Sequence, residues 1–389
     1  MKPVSLLRTP PLSLYIHIPW CVRKCPYCDF NSHEAKVAVD EREYVAALMA
    51  DLDQEAGMTG QREIESIFFG GGTPSLFSGD AIHNILEGVR QRLPVAADAE
   101  ITLEANPGTF EQQNFADYRA CGVNRLSIGI QSFEDEKLAA LGRIHDHREA
   151  VRAVETARSA GFENINLDLM FGLPGQSLQQ AVSDIEQACA FEPSHISHYQ
   201  LTIEANTWFH KHTPVLPETD AIWEMQQACH EHLDRHGYQQ YEVSAFAHDR
   251  VQCLHNINYW GFGDYIGIGA GAHGKISDAA NGTIIRRWKQ RQPAAYIRLA
   301  REGEACSGSN RLTQPDILFE FLMNALRLRR GFSYELFEQR TGIDRQQLVE
   351  ACSSVDADLL LVSEQGITTT DRGFDFLNHV LERFLVSEQ

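Results

Sequence analysis

The sequence predicts an α/β fold, a partial (β/α)6 barrel followed by a small C-terminal helical module. Two observations carry this. Up to about residue 205, short β-rich runs alternate with amphipathic helical patterns, the signature of βα units and a parallel sheet. Six such units can be counted, two short of the eight that close a complete βα barrel. From about residue 311 the pattern changes to successive helices, a β-ribbon and a closing helix.

The six strands are placed at 12–18 (LSLYIHI), 64–70 (IESIFFG), 100–105 (EITLEA), 125–130 (RLSIGI), 165–171 (INLDLMF) and 195–202 (HISHYQLT). Between them, apolar residues recur at helical spacing, as in Tyr44, Val45, Leu48, Met49 and Leu52, and again in Ile82, Ile85, Leu86 and Val89. The expected division is a barrel over 1–205, an extension over 206–310 and a C-terminal module over 311–389. In the extension a helix near 218–236 precedes YEVSAF, HNINYW and the glycine run IGIGAGAHG, and pattern alone assigns no fold there. The C-terminal helices near 315–329, 334–341 and 345–353, then LLLV, GITTT and a helix from Gly373, read as winged-helix-like.

With 389 residues, 43% hydrophobic and 22% charged, the chain has the makings of a large folded core, and disordered and low-complexity classes are excluded. The formal charge of −19 repels phosphate, so no nucleic-acid partner is expected and the C-terminal module reads as a packing or protein-contact unit. The N-terminal apolar run is interrupted by Arg8, Pro10 and Pro11, and no stretch is long enough for a membrane span, so a cytoplasmic location is expected.

Nine cysteines cannot all pair, and three of them, Cys21, Cys25 and Cys28, fall in one loop directly after the first strand. Thiolates are soft ligands for zinc or iron–sulfur clusters. Zinc would have to recruit His17 or His33 to complete four ligands, whereas three thiolates on a 4Fe-4S cluster leave one iron open. The remaining six cysteines are scattered and read as small buried hydrophobes.

YIHIPWCVRKCPYCDF, with Cys21-x3-Cys25-x2-Cys28 and Tyr27 before the last cysteine, resembles the radical S-adenosylmethionine (SAM) family. Within it, the chain is similar to the subgroup that contains oxygen-independent coproporphyrinogen III dehydrogenase and the haem chaperones. The resemblance implies a radical-SAM barrel, a 4Fe-4S cluster on the three cysteines, and SAM bound at its open iron. Tyr15, Gly71 and Glu104 match positions around the cluster-bound SAM. Tyr27, Gly72, Thr73, Gln131, Arg143 and Asp168 match a second SAM site of the dehydrogenase. On pattern alone, a run such as Gly70-Gly71-Gly72-Thr73-Pro74 is an ordinary turn signal, and each polar residue could be a surface or capping group. Together they lie at or near the carboxyl ends of successive strands, where βα barrels build active sites.

Two departures turn the resemblance from the dehydrogenase toward the haem-chaperone branch. Phe30 stands where the dehydrogenase has a further cysteine, and only 14 residues precede Tyr15, where the dehydrogenase has a long arm. Coproporphyrinogen III dehydrogenation is therefore not expected, although it remains the alternative. By composition, His255 in HNINYW is a core histidine beside two aromatics. The HNxxYW pattern of the chaperone branch instead implies a haem-binding residue, with Cys253 as second candidate. The implied partners are haem and respiratory haemoproteins that accept it, with any membrane contact made through the acceptor.

Overall fold

The computed structural model describes residues 7–108, 112–248 and 251–385, so the first six residues of the apolar N-terminal run lie outside it. Strands β1 (Leu12–Ile18), β2 (Ile64–Gly71), β3 (Val95–Ala105), β4 (Arg125–Gln131), β5 (Asn164–Phe171) and β6 (His195–Gln200) pair in parallel, each with the next. They are the six strands expected. The main differences are that β3 begins at Val95 rather than 100 and β6 stops at Gln200 rather than 202.

Their side chains alternate strictly. Leu12, Leu14, Ile16 and Ile18 of β1, Ile101 and Leu103 of β3, and Leu126, Ile128 and Ile130 of β4 are buried in the main apolar core. That core includes residues of the outer helices α1 (Glu41–Thr59), α2 (Gly79–Arg90), α3 (Phe115–Cys121), α5 (His147–Ser159) and α6 (Leu178–Ala190); α4 (Asp135–Ala140) is the short helix between α3 and α5. The intervening residues, Ser13, Tyr15 and His17, Ser66, Glu100, Thr102 and Glu104, Arg125 and Ser127, Asn166 and Asp168, take the opposite face, because successive strand residues point to opposite sides. The barrel interior is therefore polar. Its members are cross-bonded: Ser13 to Ser66, Asn166 to Ser127 and Ser127 to Asp168, and His195 to Asn166 and Tyr241.

The segment that pattern could not assign extends the same sheet at both ends. After α7 (Trp208–Lys211) and α8 (Thr219–Arg235), a hairpin of β7 (Gln239–Glu242) and β8 (Ala245–Ala247) adds antiparallel to β6. Helix α9 (Leu254–Trp260) then leads to β9 (Asp264–Ile268), which pairs in parallel with the free side of β1 as a seventh parallel strand. Gly267 is required there, since a Cβ would come within 1.9 Å of the His273 carbonyl oxygen. Antiparallel β10 (His273–Asp278), β11 (Thr283–Lys289) and β12 (Cys306–Arg311), with α10 (Pro293–Arg301) before β12, complete a twelve-stranded sheet.

The C-terminal module contains α11 (Gln314–Ala325), α12 (Tyr334–Thr341) and α13 (Arg345–Cys352). A three-stranded sheet joins β13 (Phe332–Ser333), β14 (Leu360–Val362) and β15 (Gly366–Thr369), and α14 (Asp371–Asp375) and α15 (Leu377–Glu382) follow. The first helix ends at Ala325, short of 329, and the closing helix begins two residues early and breaks at Phe376. A separate core around Phe321, Phe337, Leu348 and Val380 also takes in Phe262 and Ile284, which fasten the module to the barrel's amino-terminal side.

Candidate functional site

The cysteine loop is held by backbone and side-chain bonds rather than by regular structure. Trp20–Cys21 pairs with His33–Glu34, Thr73 N donates to the Trp20 carbonyl, and Cys28 N donates to the Cys25 carbonyl. Asn31 Nδ2 ties the end of the loop to the Ala270 and Arg291 carbonyls at 2.8 Å. His17 Nε2 lies 3.0 Å from the Asn31 carbonyl oxygen, which can only accept, so Nε2 carries the proton and Nδ1 accepts from the Tyr15 hydroxyl at 2.9 Å.

The three thiols are free, half-buried, and line one cavity of about 370 Å³ at the carboxyl ends of the strands. The same cavity takes Tyr27, Gly71, Gly72, Thr73, Glu104, Gln131, Arg143 and Asp168, so eleven of the thirteen residues singled out from sequence meet in one chamber. Among the described residues no three His, Cys, Asp or Glu groups converge as a single ion needs. Both ring nitrogens of His17 are engaged, so it is not free to complete a zinc site. Thiols spread around a chamber fit a polynuclear cluster, whose cysteines sit on separate irons.

Local backbone geometry keeps the chamber open. Gly71 has φ 117°, and a Cβ there would lie 2.5 Å from His17 Cε1; at Gly72 it would lie 2.5 Å from the Trp20 carbonyl oxygen. Gln131 sits at φ 66°, where the β4–β5 register shifts, a conformation that non-glycine residues adopt at a cost and that clusters at functional sites. Arg143 Nη2 donates to Asn106 Oδ1 and to the Gly129 carbonyl at 2.7 Å, and its Nη1 lies 3.7 Å from Cys25 Sγ. Asn106 Nδ2 donates to Thr73 Oγ1 at 2.9 Å. One side chain thus joins the GGGTP turn to the arginine beside the cysteines.

Two carboxyl groups stand in the chamber wall. Glu104 accepts from Gly71 N at 3.2 Å, and burial, reinforced by Asp168, pushes its carboxyl up to about 8. Burial likewise raises Asp168, whose bonds from Ser127 and Asn166 oppose the shift. Burial also raises the thiols of Cys21 and Cys28.

Tyr15 and His255 are outside this chamber. The Tyr15 ring stacks on Phe68 with centroids 6.3 Å apart, lower in the barrel. His255 lies at the barrel's amino-terminal floor, only 7% exposed, its ring 5.0 Å from that of Phe68 and its Nδ1 3.2 Å from Ser66 Oγ. Burial, helped by Arg125, lowers its imidazole to about 3, so the ring is neutral. Helix α9 closes that floor: Glu100 accepts from the amides of Leu254 and His255 and from the Cys253 thiol. Asn258 Nδ2 donates to Ser13 Oγ, and Trp260 lies under Arg327. HNINYW is thus a packed plug. Asn106, Ser127 and Tyr199, which also line the chamber, were not singled out from sequence as site residues; for Asn106 the usable signal was its place just past the end of β3.

Comparison with known proteins agrees with this architecture. The Radical SAM superfamily matches residues 15–188 and the HemN C-terminal domain residues 312–376. The chain is 50% identical to the heme chaperone HemW of Escherichia coli K12, covering 98% of this chain and all of that one. The chain belongs to the HemW family.

Other HemW proteins are similarly close in extent. That of Haemophilus influenzae is 45% identical over 98% of this chain and 100% of its own, and that of Bacillus subtilis 35% over 96% and 99%. The crystal structure of coproporphyrinogen III oxidase HemN from Escherichia coli superposes with a TM-score of 0.82 over 97% of this chain and 90% of that one. At 24% identity it shows that the HemW family and that enzyme share a fold. The radical SAM match ends within α6, and the HemN C-terminal match begins just before α11, so the segment holding HNINYW lies between the two.

Proposed function

We propose that this protein is a haem chaperone that carries a 4Fe-4S cluster on Cys21, Cys25 and Cys28, binds SAM beside it, and passes haem to respiratory haemoproteins. The observation that carries the reading is the 50% identity, over essentially both whole chains, to a protein named heme chaperone. Phe30 supports it: the ring is 60% exposed at the chamber wall, where the dehydrogenase resemblance calls for a cysteine, and a phenyl group offers no ligand.

When bound, the cluster supplies an open iron for the amino and carboxylate groups of SAM. The chain's own residues then orient the cosubstrate. Gly71, Glu104 and Tyr15 would hold the cluster-bound SAM, Tyr15 acting through His17. Tyr27, Gly72, Thr73, Gln131, Arg143 and Asp168 would offer a second set of contacts, Thr73 and Arg143 being joined through Asn106. Residues 1–205 serve the cofactors, 206–310 carry the haem residue His255, and 311–389 form a docking module. The protein works in the cytoplasm and meets a membrane only through an acceptor; among the described residues no helix is long and apolar enough to cross one.

Anaerobic reconstitution followed by parallel assays tests the reading. Haem binding with a shifted Soret band and no conversion of coproporphyrinogen III is the expected result. Turnover of that substrate without haem affinity overturns it in favour of the dehydrogenase.

A further inference from the structure

Behind the wall of the cysteine chamber runs a line of hydrogen bonds that ends on Asp168. From β5 this residue presents its carboxylate to the chamber and takes two bonds from behind: Asn166 Nδ2 donates to Oδ1 at 2.9 Å and Ser127 Oγ to Oδ2 at 2.8 Å. The same Asn166 nitrogen donates to Ser127 Oγ at 2.7 Å, so one amide supports both carboxylate oxygens. Its carbonyl Oδ1 turns the other way and accepts from His195 Nδ1 at 2.6 Å and from Ser197 Oγ at 3.0 Å. Strand register brings these groups together, since Asn166 of β5 lies beside Ser127 of β4 on one side and His195 of β6 on the other. Neither Asn166 nor His195 lines the chamber itself.

The protons in this line are fixed from its far end. The Cys253 amide, at the start of α9, can only donate, and it does so to the Tyr241 hydroxyl oxygen at 3.3 Å. That hydroxyl lies 2.8 Å from His195 Nε2 and has no other acceptor among the described residues, so its proton goes to Nε2. His195 is buried, and burial, helped by Arg125, holds its imidazole well below the usual value. The ring is therefore neutral, and its single proton sits on Nδ1. The other tautomer would turn a bare nitrogen toward Asn166. To meet it, the amide would have to swing its nitrogen round to His195 and leave a carbonyl oxygen against the Asp168 carboxylate, which then loses its donor.

We propose that His195 is a positioning residue for the SAM site: with its proton on Nδ1 it locks the Asn166 amide in the one orientation that serves Ser127 and Asp168, and so fixes the Asp168 carboxylate at the chamber wall. The proposal rests on the reading of Asp168 as a SAM contact, and it adds to that site two residues that do not touch the ligand. The donors such a carboxylate can accept from SAM are its hydroxyl and amino groups.

The test titrates SAM calorimetrically into reconstituted wild type, His195→Asn and His195→Leu, with iron content as the check on folding. The two replacements have nearly the same size and open the same space, but only the Asn amide can still donate where Nδ1 stood. The expected result is SAM binding at least tenfold weaker in His195→Leu and no more than threefold weaker in His195→Asn. In an Asp168→Ala background His195→Leu should change SAM affinity less than twofold, because its effect passes through that carboxylate. Equal losses in the two variants, or no loss in His195→Leu, overturn the proposal, as does a His195→Leu effect that persists in full without Asp168. Should His195→Leu fail to take up iron, Tyr241→Phe, which removes a single hydroxyl, decides: SAM binding at least threefold weaker supports the proposal and unchanged binding overturns it. Each of these failures leaves wild-type SAM binding, and the function proposed above, intact. A wild type that binds no SAM overturns both.

Discussion

Glu104 Oε2 accepts a hydrogen bond from the Gly71 amide at 3.2 Å, and the carboxyl that makes this contact is held up at about 8 by burial and by Asp168. SAM carries a fixed positive sulfonium, so its arrival favours the ionised form and releases a proton. Affinity for SAM should rise about tenfold per pH unit between pH 6 and 7.5, where few Glu104 carboxyls are ionised. Glu104→Gln should bind SAM more weakly, with no such slope. The apoprotein should behave in the opposite sense. A carboxyl whose folded value is raised contributes stability below its unfolded value near 4.5 and loses it as pH rises through about 8. The fall in melting temperature of wild type over that window, relative to the Gln variant, measures it.

Gly71→Ala should damage more than SAM binding. Its φ of 117° disfavours any side chain, and the new Cβ would displace the His17 ring that holds both Tyr15 and the end of the cysteine loop. A cost of about 1–3 kcal/mol and reduced iron uptake are expected. Gly57→Ala, inside α1 with open space at its Cβ, is the control and should stabilise by about 0.5–1 kcal/mol. Equal iron content in the two variants would show that His17 does not support the loop.

Asn106→Ala removes the one side chain shared by Thr73 and Arg143. Arg143 keeps the Gly129 carbonyl, so the loss is of the tie between turn and arginine, about 0.5–1.5 kcal/mol, which predicts SAM affinity up to about tenfold lower with iron content intact. Calorimetric titration of reconstituted protein reads the change, and an unaltered affinity would remove Asn106 from the site.

How far the sequence reveals these features follows from the range of the interactions. Strands β1 to β6 are legible because each is a local apolar run followed by its own helix. β9 is not: its parallel partner β1 lies some 250 residues earlier, and Gly267 interrupts the run that would announce it. In the site, residues at strand ends could be read from their position in the βα repeat, and they do converge. Asn106, one residue beyond β3, bonds to partners 33 and 37 residues away, which no local pattern encodes. His255 shows the reverse difficulty. Its motif is conspicuous, yet only the three-dimensional arrangement places the ring inside the barrel floor and Leu254 on an open cavity.

Reconstituted wild type should hold about four irons per chain, and Ser at Cys21, Cys25 or Cys28 should abolish the cluster, because a hydroxyl is a poor substitute for a soft thiolate. Cys121, whose thiol donates to the Tyr118 carbonyl, and Cys352, packed in the C-terminal core, should be dispensable for it. Visible absorption and iron analysis decide, and a full cluster in any of the three loop variants would disprove the assignment.

His255 supplies the last prediction. Its imidazole is kept neutral down to about pH 3, whereas an ordinary histidine protonates near 6.5 and then no longer ligates a metal. If it coordinates haem iron, the haem spectrum should persist unchanged from pH 7.5 to 5. The ring's Nε2 makes no hydrogen bond among the described residues, while Nδ1 is held by Ser66, so Ser66→Ala should leave the ligand in place but alter the haem spectrum by freeing its orientation. His255→Ala should lose the axial-nitrogen spectrum and keep the cluster, since the cysteine chamber excludes His255. It also takes from Ser66 Oγ one of its two partners, the bond with Ser13 Oγ remaining, at a cost of about 0.5–1.5 kcal/mol in stability. That separates two origins of weaker haem binding. Loss of the ligand changes the spectrum even where binding is saturated, whereas a loosened floor changes affinity alone. A saturated His255→Ala complex with the wild-type spectrum would assign the iron to another residue, with the Cys253 thiol, now bonded to Glu100, the next to replace.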